Sequence, residues 1–248
     1  MKHFLVFLML CAFGPVQAQT DHSPCRDVTY LTNSYTVCTV DMTTDQIGLF
    51  LYNDDGTPYG QFASLDRMLL DQGKKLGFAM NAGMYHEDRA PVGHYIEDGK
   101  ELQRVIPNAG PGNFGLLPNG VLCIRQNRAD VFETLRYLDE KPNCVHATQS
   151  GPMLVIDGAL HPRFLPDSDS HYIRNGVGTS ADGKTAAFVI SNVSVTFHAF
   201  ASFFRDYLKL PQALYFDGNI SRLYAPNLNR SDFGFTTLGP IIGVVTDK

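Results

Sequence analysis

The chain has 248 residues, with 20 Lys and Arg against 25 Asp and Glu for a net charge of −5. A mild negative balance with scattered cations argues against nucleic acid as a partner. The absence of Trp removes exposed indoles as sugar platforms and leaves that work to 11 Tyr and 17 Phe.

Residues 1–18 read as a secretory signal peptide. Lys2 precedes an apolar run from Phe4 to Phe13, and Val16-Gln17-Ala18 places small residues where a signal peptidase cuts, before Gln19. Cys11 leaves with it and is a poor lipoprotein acceptor, because Leu10 precedes it. No later apolar run is long enough to cross a bilayer. The expected product is residues 19–248, periplasmic or secreted. With no Pro/Ser-rich linker, repeat or low-complexity tract, it reads as one domain. Four cysteines remain, and in an oxidising compartment they allow three connectivities. Each of the pairs Cys25-Cys38 and Cys123-Cys144 flanks one local unit, which favours that pairing. Metal binding by cysteine is the weaker reading, since no Cys-x-x-Cys is present.

In chain order, residues 28–40 and 46–52 alternate apolar and polar and read as strands around a turn. Phe62, Leu65 and Leu69 have helical spacing, and Gly73 follows as a C-terminal cap. A short buried strand, Gly77 to Met80, leads to Asn81-Ala82-Gly83-Met84-Tyr85-His86. Asp98-Gly99, Asn119-Gly120, Asp157-Gly158 and Asp182-Gly183 read as hairpin turns. Arg128 to Glu140 reads as a helix carrying Val131, Leu135 and Leu138 on one side. Thr196 is the expected N-cap of a Phe-rich helix to Lys209. A strand then ends in Asp217-Gly218-Asn219-Ile220-Ser221-Arg222, and Phe233, Phe235, Leu238 and Ile241 to Val245 read as closing strands. Hairpins with interspersed helices imply an α+β fold, a single domain with a mixed, largely antiparallel β-sheet and a few packed helices. A doubly wound sheet fits less well, because strict strand-helix alternation and a GxGxxG turn are missing.

Four loops combine small residues with polar groups at predicted strand ends: Asn81-Ala82-Gly83-Met84-Tyr85, Ser150-Gly151-Pro152, Arg174-Asn175-Gly176-Val177-Gly178 and Asp217-Gly218-Asn219-Ile220-Ser221. Taken singly, each has a plain structural reading: an Asp-Gly turn, an arginine pinning carbonyls, or glycine at positive φ. In this order they resemble the phosphodiester glycosidase family, the uncovering-enzyme domain that removes a sugar from a phosphodiester to expose a phosphomonoester. The resemblance spans roughly residues 75 to 245. It matches Asn81 and Gly83, Arg174 and Gly178, and Asp217, Gly218 and Ser221 to the family's loops. Asn219-Ile220 and Ala82 depart from it where glycine is usual, which bears on sugar specificity.

The resemblance implies a hydrolase acting on a sugar-phosphodiester, with a carbohydrate-phosphate as partner. Asp217, Arg174 and Asn81 become the candidate catalytic residues. Gly83, Ser150, Gly151, Gly178, Gly218, Asn219, Ser221 and His94 become the candidate substrate-binding ones. Cleavage at an anomeric carbon builds oxocarbenium character on the sugar, which a carboxylate such as Asp217 stabilises or attacks. A planar guanidinium matches phosphate oxygens, which suits Arg174. Phosphate leaves as a stable anion, so a strong general acid is not demanded. His86 or His94 is available for that role, although an exposed loop histidine is the simpler reading of each. Glu87-Asp88 reads as a solvated loop tip. Beside Asp217 it would instead offer oxygen ligands to Ca²⁺ or Mg²⁺, and no other cofactor is indicated. Two other classes stay open: a non-catalytic glycan-binding envelope module, and a metal-dependent phosphodiesterase cutting the phosphorus-oxygen bond.

Overall fold

The computed structural model describes residues 24–248. Residues 1–18, read from the sequence as a signal peptide, and Cys11 within them lie outside the described residues. The fold is α+β, a single domain built on three antiparallel sheets, with helices on their outer faces. The largest sheet runs in the order Cys25–Tyr30, Asn33–Asp41, Thr185–Ser191, Asn175–Thr179, Gln212–Asp217, Met153–Ile156, Ala159–Leu160. A second has the order Arg230–Ser231, Leu223–Ala225, Lys74–Asn81, Ile241–Asp247, Gln46–Phe50. The third consists of Lys100–Gln103, Tyr95–Glu97, His146–Ser150, Gly120–Arg125 and Arg128–Glu133.

All three sheets contribute to one central core. Phe188, Leu214 and Phe216 come from the first, Phe78, Met80 and Ile242 from the second, and Tyr95 and Leu122 from the third. Strand alternation sends the residue between Leu214 and Phe216 to the other face. There Tyr215 joins Phe200, Phe203, Phe204 and Tyr35 under the Phe-rich helix. The helix Phe62–Asp71 covers the second sheet with Leu65 and Leu69.

Local signals explain several elements directly. Thr196 accepts a hydrogen bond from the Ala199 N–H and starts the helix Phe197–Ser202, which continues as a π-turn over Phe203–Tyr207. Gly73 follows the first helix at φ 74°. The turns at Asp98-Gly99, Asp157-Gly158 and Asp182-Gly183 form as expected between paired strands. Both expected disulfides are present, Cys25–Cys38 across an antiparallel pair and Cys123–Cys144 joining a strand to the segment after the third sheet's helix. No helix among the described residues is long and apolar enough to cross a membrane.

The structure corrects four local expectations. Residues 28–40 are two strands hinged at Leu31, whose φ is 53°, so alternation hid a tight hairpin. The expected helix at Arg128 to Glu140 starts as strand Arg128–Glu133, because its hairpin partner Gly120–Arg125 claims the backbone, and helix forms over Thr134–Glu140 alone. Asn119-Gly120 is no hairpin turn. The Asn119 side chain is buried, donates to the Phe114 carbonyl and accepts from Thr134, while the turn forms at Asn127 at φ 58°. Phe233 and Phe235 belong to no strand, and the closing strand is Ile241–Asp247.

Candidate active site

Strand order places the loops together. Asn175–Thr179 and Gln212–Asp217 are antiparallel neighbours with Asn175 opposite Asp217, so the start of one meets the end of the other. In the second sheet Leu223 pairs with Met80, which sets Arg222 beside Asn81 at the end of Lys74–Asn81. The Asn175 amide spans the two sheets. Its Nδ2 donates to the Asn81 Oδ1 at 2.9 Å, and its Oδ1 accepts the Asp217 N–H at 3.1 Å. Asn81 Oδ1 also accepts the Arg222 N–H at 2.9 Å. Two donors on that oxygen fix the amide orientation, leaving Asn81 Nδ2 buried without a partner. A buried orphan donor is a costly feature that an active site tolerates.

Asp217 is half-buried, on the Tyr215 side of its strand. Burial raises its carboxyl above the usual range, even though the backbone N–H groups of Asn219, Gly218 and Ile220 pull it down. Ser221 donates to the Asp217 carbonyl at 2.7 Å and so closes the loop. Gly218 lies against the Tyr215 hydroxyl so closely that a Cβ would overlap it. Tyr85 is close enough that the Asp217 charge helps burial raise its phenol, while Arg89 and Arg222 oppose the rise.

Two arginines stand on either side of this loop, and neither pairs with a carboxylate among the described residues. Arg174 is 1% exposed. It donates to the carbonyls of Val195 and Ser170, both at 2.9 Å, and more weakly to the Tyr215 hydroxyl at 3.4 Å. Its guanidinium lies 3.6 Å from the centre of the Phe197 ring. Burial lowers its pKa, against a smaller opposing effect of Tyr215. It borders a small hollow of about 160 Å³ with Asn113, Tyr172, Gly218 and Asn219. Arg222, also buried, donates to the Thr236 carbonyl at 2.8 Å. It borders a larger hollow of about 700 Å³ with Asn219, Ser221 and Arg230, the last of these paired with Asp232 at 2.8 Å. Asn219 lines both, so the Asp217 loop is the wall between two cationic recesses.

Of the residues singled out from sequence, Asn81, Asp217, Gly218, Asn219 and Ser221 meet here, with Arg174 beneath them. Three of the five guanidinium N–H groups of Arg174 are already engaged, so the full planar fork expected for phosphate is not free. Ser150 is buried and donates to the Phe216 carbonyl, supporting the strand one residue before Asp217. Gly83, at φ 120°, and Gly151 are buried in adjoining turns. Gly178 lies in the sheet interior, where a Cβ would press on Leu210 and Phe204, so it belongs to the core. His94 is not a loop histidine. It is 2% exposed, bonded to the Gln103 carbonyl and the Tyr137 hydroxyl, and burial lowers its pKa. His86 is exposed, as are Glu87 and Asp88. No group of three or more His, Cys, Asp or Glu among the described residues is arranged to hold a metal ion.

Sequence reasoning passed over Asn175, Tyr85, Tyr215 and Arg222 as site residues. Arg222 had a signal, standing one position after Ser221 in the same loop. Asn175 gains its role through a contact across 94 positions of chain, which no local pattern carries.

Comparison with known proteins bears on the fold and the family. The uncharacterized protein YigE of Escherichia coli is 33% identical over 224 residues, covering 88% of this chain and 84% of that protein. The catalytic domain of zebrafish N-acetylglucosamine-1-phosphodiester alpha-N-acetylglucosaminidase, auto-inhibited by its pro-peptide, superposes with a TM-score of 0.61 at 14% identity, covering 89% of this chain and 81% of that one. A hypothetical protein from Synechocystis gives 0.60 at 13% identity, covering 90% and 61%. At such identities the structural likeness speaks for the fold. The sequence profile of phosphodiester glycosidase matches residues 74–245, which take in every loop of the site, and the chain belongs to that family.

Proposed function

We propose that this protein is a secreted or periplasmic hydrolase that cleaves the bond between a sugar and the phosphate of a phosphodiester, in an envelope glycan or related conjugate. The observation that carries the reading is the Asp217 loop itself: a half-buried carboxyl with a raised pKa, set between two buried arginines, Arg174 and Arg222, that have no carboxylate partners among the described residues. Two disulfides in the described chain fit an oxidising compartment, and the expected signal peptide at residues 1–18 supplies the route there.

The chemistry follows from charge. As the anomeric carbon–oxygen bond breaks, its electron pair leaves with the phosphate and the sugar becomes cationic. Asp217 in its carboxylate form stabilises that cation, and the arginines stabilise the departing anion. Water supplies the new anomeric oxygen. Asn81 Nδ2, buried and unpartnered, is a donor available to a sugar hydroxyl.

The test is a set of hexose-1-phosphate diesters hydrolysed in ¹⁸O-labelled water by the purified protein, with and without EDTA. Label is expected in the sugar, and label in the phosphate would instead mark a phosphodiesterase. Asp217→Asn is expected to lower kcat by about 10³-fold or more, with the melting temperature preserved. An Asn variant that retains turnover would remove Asp217 from the reaction. Activity abolished by EDTA and restored by Ca²⁺ or Mg²⁺ would add a divalent cation to the scheme.

A further inference from the structure

The loop after the Arg230–Ser231 strand carries two large apolar side chains into solvent. Phe235 is 99% exposed and Phe233 74%, and their rings meet edge to face at 5.7 Å. Unburied phenyl groups are an unrecovered cost, and paired ones mark a surface that something covers. The loop is not a loose one, because its backbone is tied down around both rings. The Gly234 carbonyl accepts from Gln61 Nε2 at 3.2 Å, the Thr236 carbonyl from Arg222 at 2.8 Å, and the Thr237 carbonyl from the Tyr85 hydroxyl at 3.1 Å. Gly234 sits so close to the Arg222 guanidinium that any Cβ would overlap it. Polar anchors, two of them the site residues Arg222 and Tyr85, therefore hold the loop in place with the phenyl groups outward.

The position of the loop says what would cover it. Phe233 lines the hollow of about 700 Å³ together with Ile173 and Ile220, while Ser221, Arg222 and the ion pair of Arg230 with Asp232 form its polar side, so that Arg222 is the cation there with no carboxylate partner among the described residues. One wall thus suits an anionic diester and the other an apolar chain, and both are continuous with the Asp217 loop. We propose that Phe233 and Phe235 bind the non-sugar arm of the substrate, and that this arm is an apolar chain, so that the substrate class is a glycosyl phospholipid. The inference rests on the reaction proposed above and names its substrate class.

The experiment compares methyl and decyl diesters of the same hexose 1-phosphate below micelle-forming concentration. Binding to the full mature chain is measured by calorimetry and turnover by sugar release. The decyl diester is expected to bind about 30-fold more tightly, from partial burial of its methylenes. In the Phe233→Ser/Phe235→Ser variant that preference is expected to collapse toward parity. The exposed rings leave the melting temperature nearly unmoved, which keeps the comparison interpretable. Equal binding of the two diesters by the wild-type chain, or a preference that survives the double substitution, overturns the proposal. So does Phe-dependent sedimentation with plain phosphatidylglycerol vesicles in the absence of any decyl preference, which would make the loop a membrane contact. A decyl preference in binding with no turnover of either diester would retain the apolar subsite and reject the hydrolytic reading instead.

Discussion

Two hollows of nearly equal size mark this surface, and they differ in charge. One, about 700 Å³, borders the Asp217 loop and includes Arg222, together with Arg230 held in an ion pair by Asp232. The other, about 680 Å³, runs along the edge strand Gln46–Phe50 and gathers Asp54, Asp55, Glu97 and Asp98 around a single lysine, Lys74. Volume alone would not choose between them. A phosphodiester is an anion, and the field of Asp54, Asp55 and Asp98 would repel what Arg222 in the first hollow would attract. Arg174 and Arg222, buried without acidic partners among the described residues, are also the less easily explained feature, since desolvating a cation costs several kcal/mol unless an anion arrives. The difference teaches that unbalanced charge next to a perturbed carboxyl, and not size, favours the Asp217 side as the candidate site.

The sharpest way to break that comparison is to remove the cations. Arg222→Gln is expected to raise KM for a sugar phosphodiester by about 50-fold, the worth of a charge-assisted hydrogen bond to phosphate. Arg174→Lys keeps a cation but loses the planar stack on Phe197 and the fork to Val195 and Ser170. Its penalty is expected mainly in stability, about 2 kcal/mol by thermal or denaturant unfolding, with a smaller rise in KM. Steady-state kinetics on both variants separates the roles. An unchanged KM for Arg222→Gln would leave the larger recess without a phosphate contact.

A smaller effect is the pH dependence of Asp217. Its folded pKa is raised above 3.8, chiefly by burial, so the folded chain holds a proton that the unfolded chain has released. Stability from this group is therefore greatest below the ordinary carboxylate range and is lost as pH rises through the folded value. The proposed reaction uses the ionised form and would run the other way. The acid limb of kcat/KM is expected above the pH at which an ordinary Asp titrates, about 4. Asp217→Asn is expected to gain stability relative to wild type as pH rises across the same window and to match it in acid. An acid limb at or below the ordinary value would show that the ionised carboxyl is not what burial has perturbed.

How much of this was legible in the sequence depends on the range of each interaction. The Phe62–Asp71 helix, the Thr196 cap and the Asp98-Gly99 and Asp182-Gly183 turns depend on neighbours a few residues apart, and local pattern found them. Arg128 to Glu140 shows where that fails: Val131, Leu135 and Leu138 give a helical period, yet pairing with Gly120–Arg125 takes the first half as strand. In the site, Asp217 stood out because a strand ending in Asp-Gly is a local signal. His94 looked like a loop residue because nothing nearby in sequence reveals the Tyr137 hydroxyl, 43 positions away, that closes over it. Asn175 and Arg222 act through Asn81, across 94 and 141 positions, so their roles exist only once the two sheets meet.

The anionic groove offers the complementary test, with the smallest expected effect. Glu97 accepts from the Tyr95 hydroxyl at 2.8 Å, and burial pushes its carboxyl from 4.5 up to about 7. Because the folded value is the higher one, the folded chain retains the proton as pH rises past 4.5, and stability falls across the interval up to about 7. Glu97→Gln removes the titration while resembling the protonated acid. The variant is expected to match wild type near pH 4 and to exceed it at pH 8 by about 1–2 kcal/mol once solvent screening is allowed for. That corresponds to roughly 2–6 °C in melting temperature for a chain of this length. Turnover of a sugar phosphodiester should stay within about twofold of wild type, since a group that repels phosphate from the second hollow has no part in binding it in the first. A loss of tenfold or more would place substrate beside Glu97 and reverse the choice between the two hollows. A gain in stability without a change in rate would mean that the carboxylates along Gln46–Phe50 shape the pH range of the fold while the arginine side carries the chemistry.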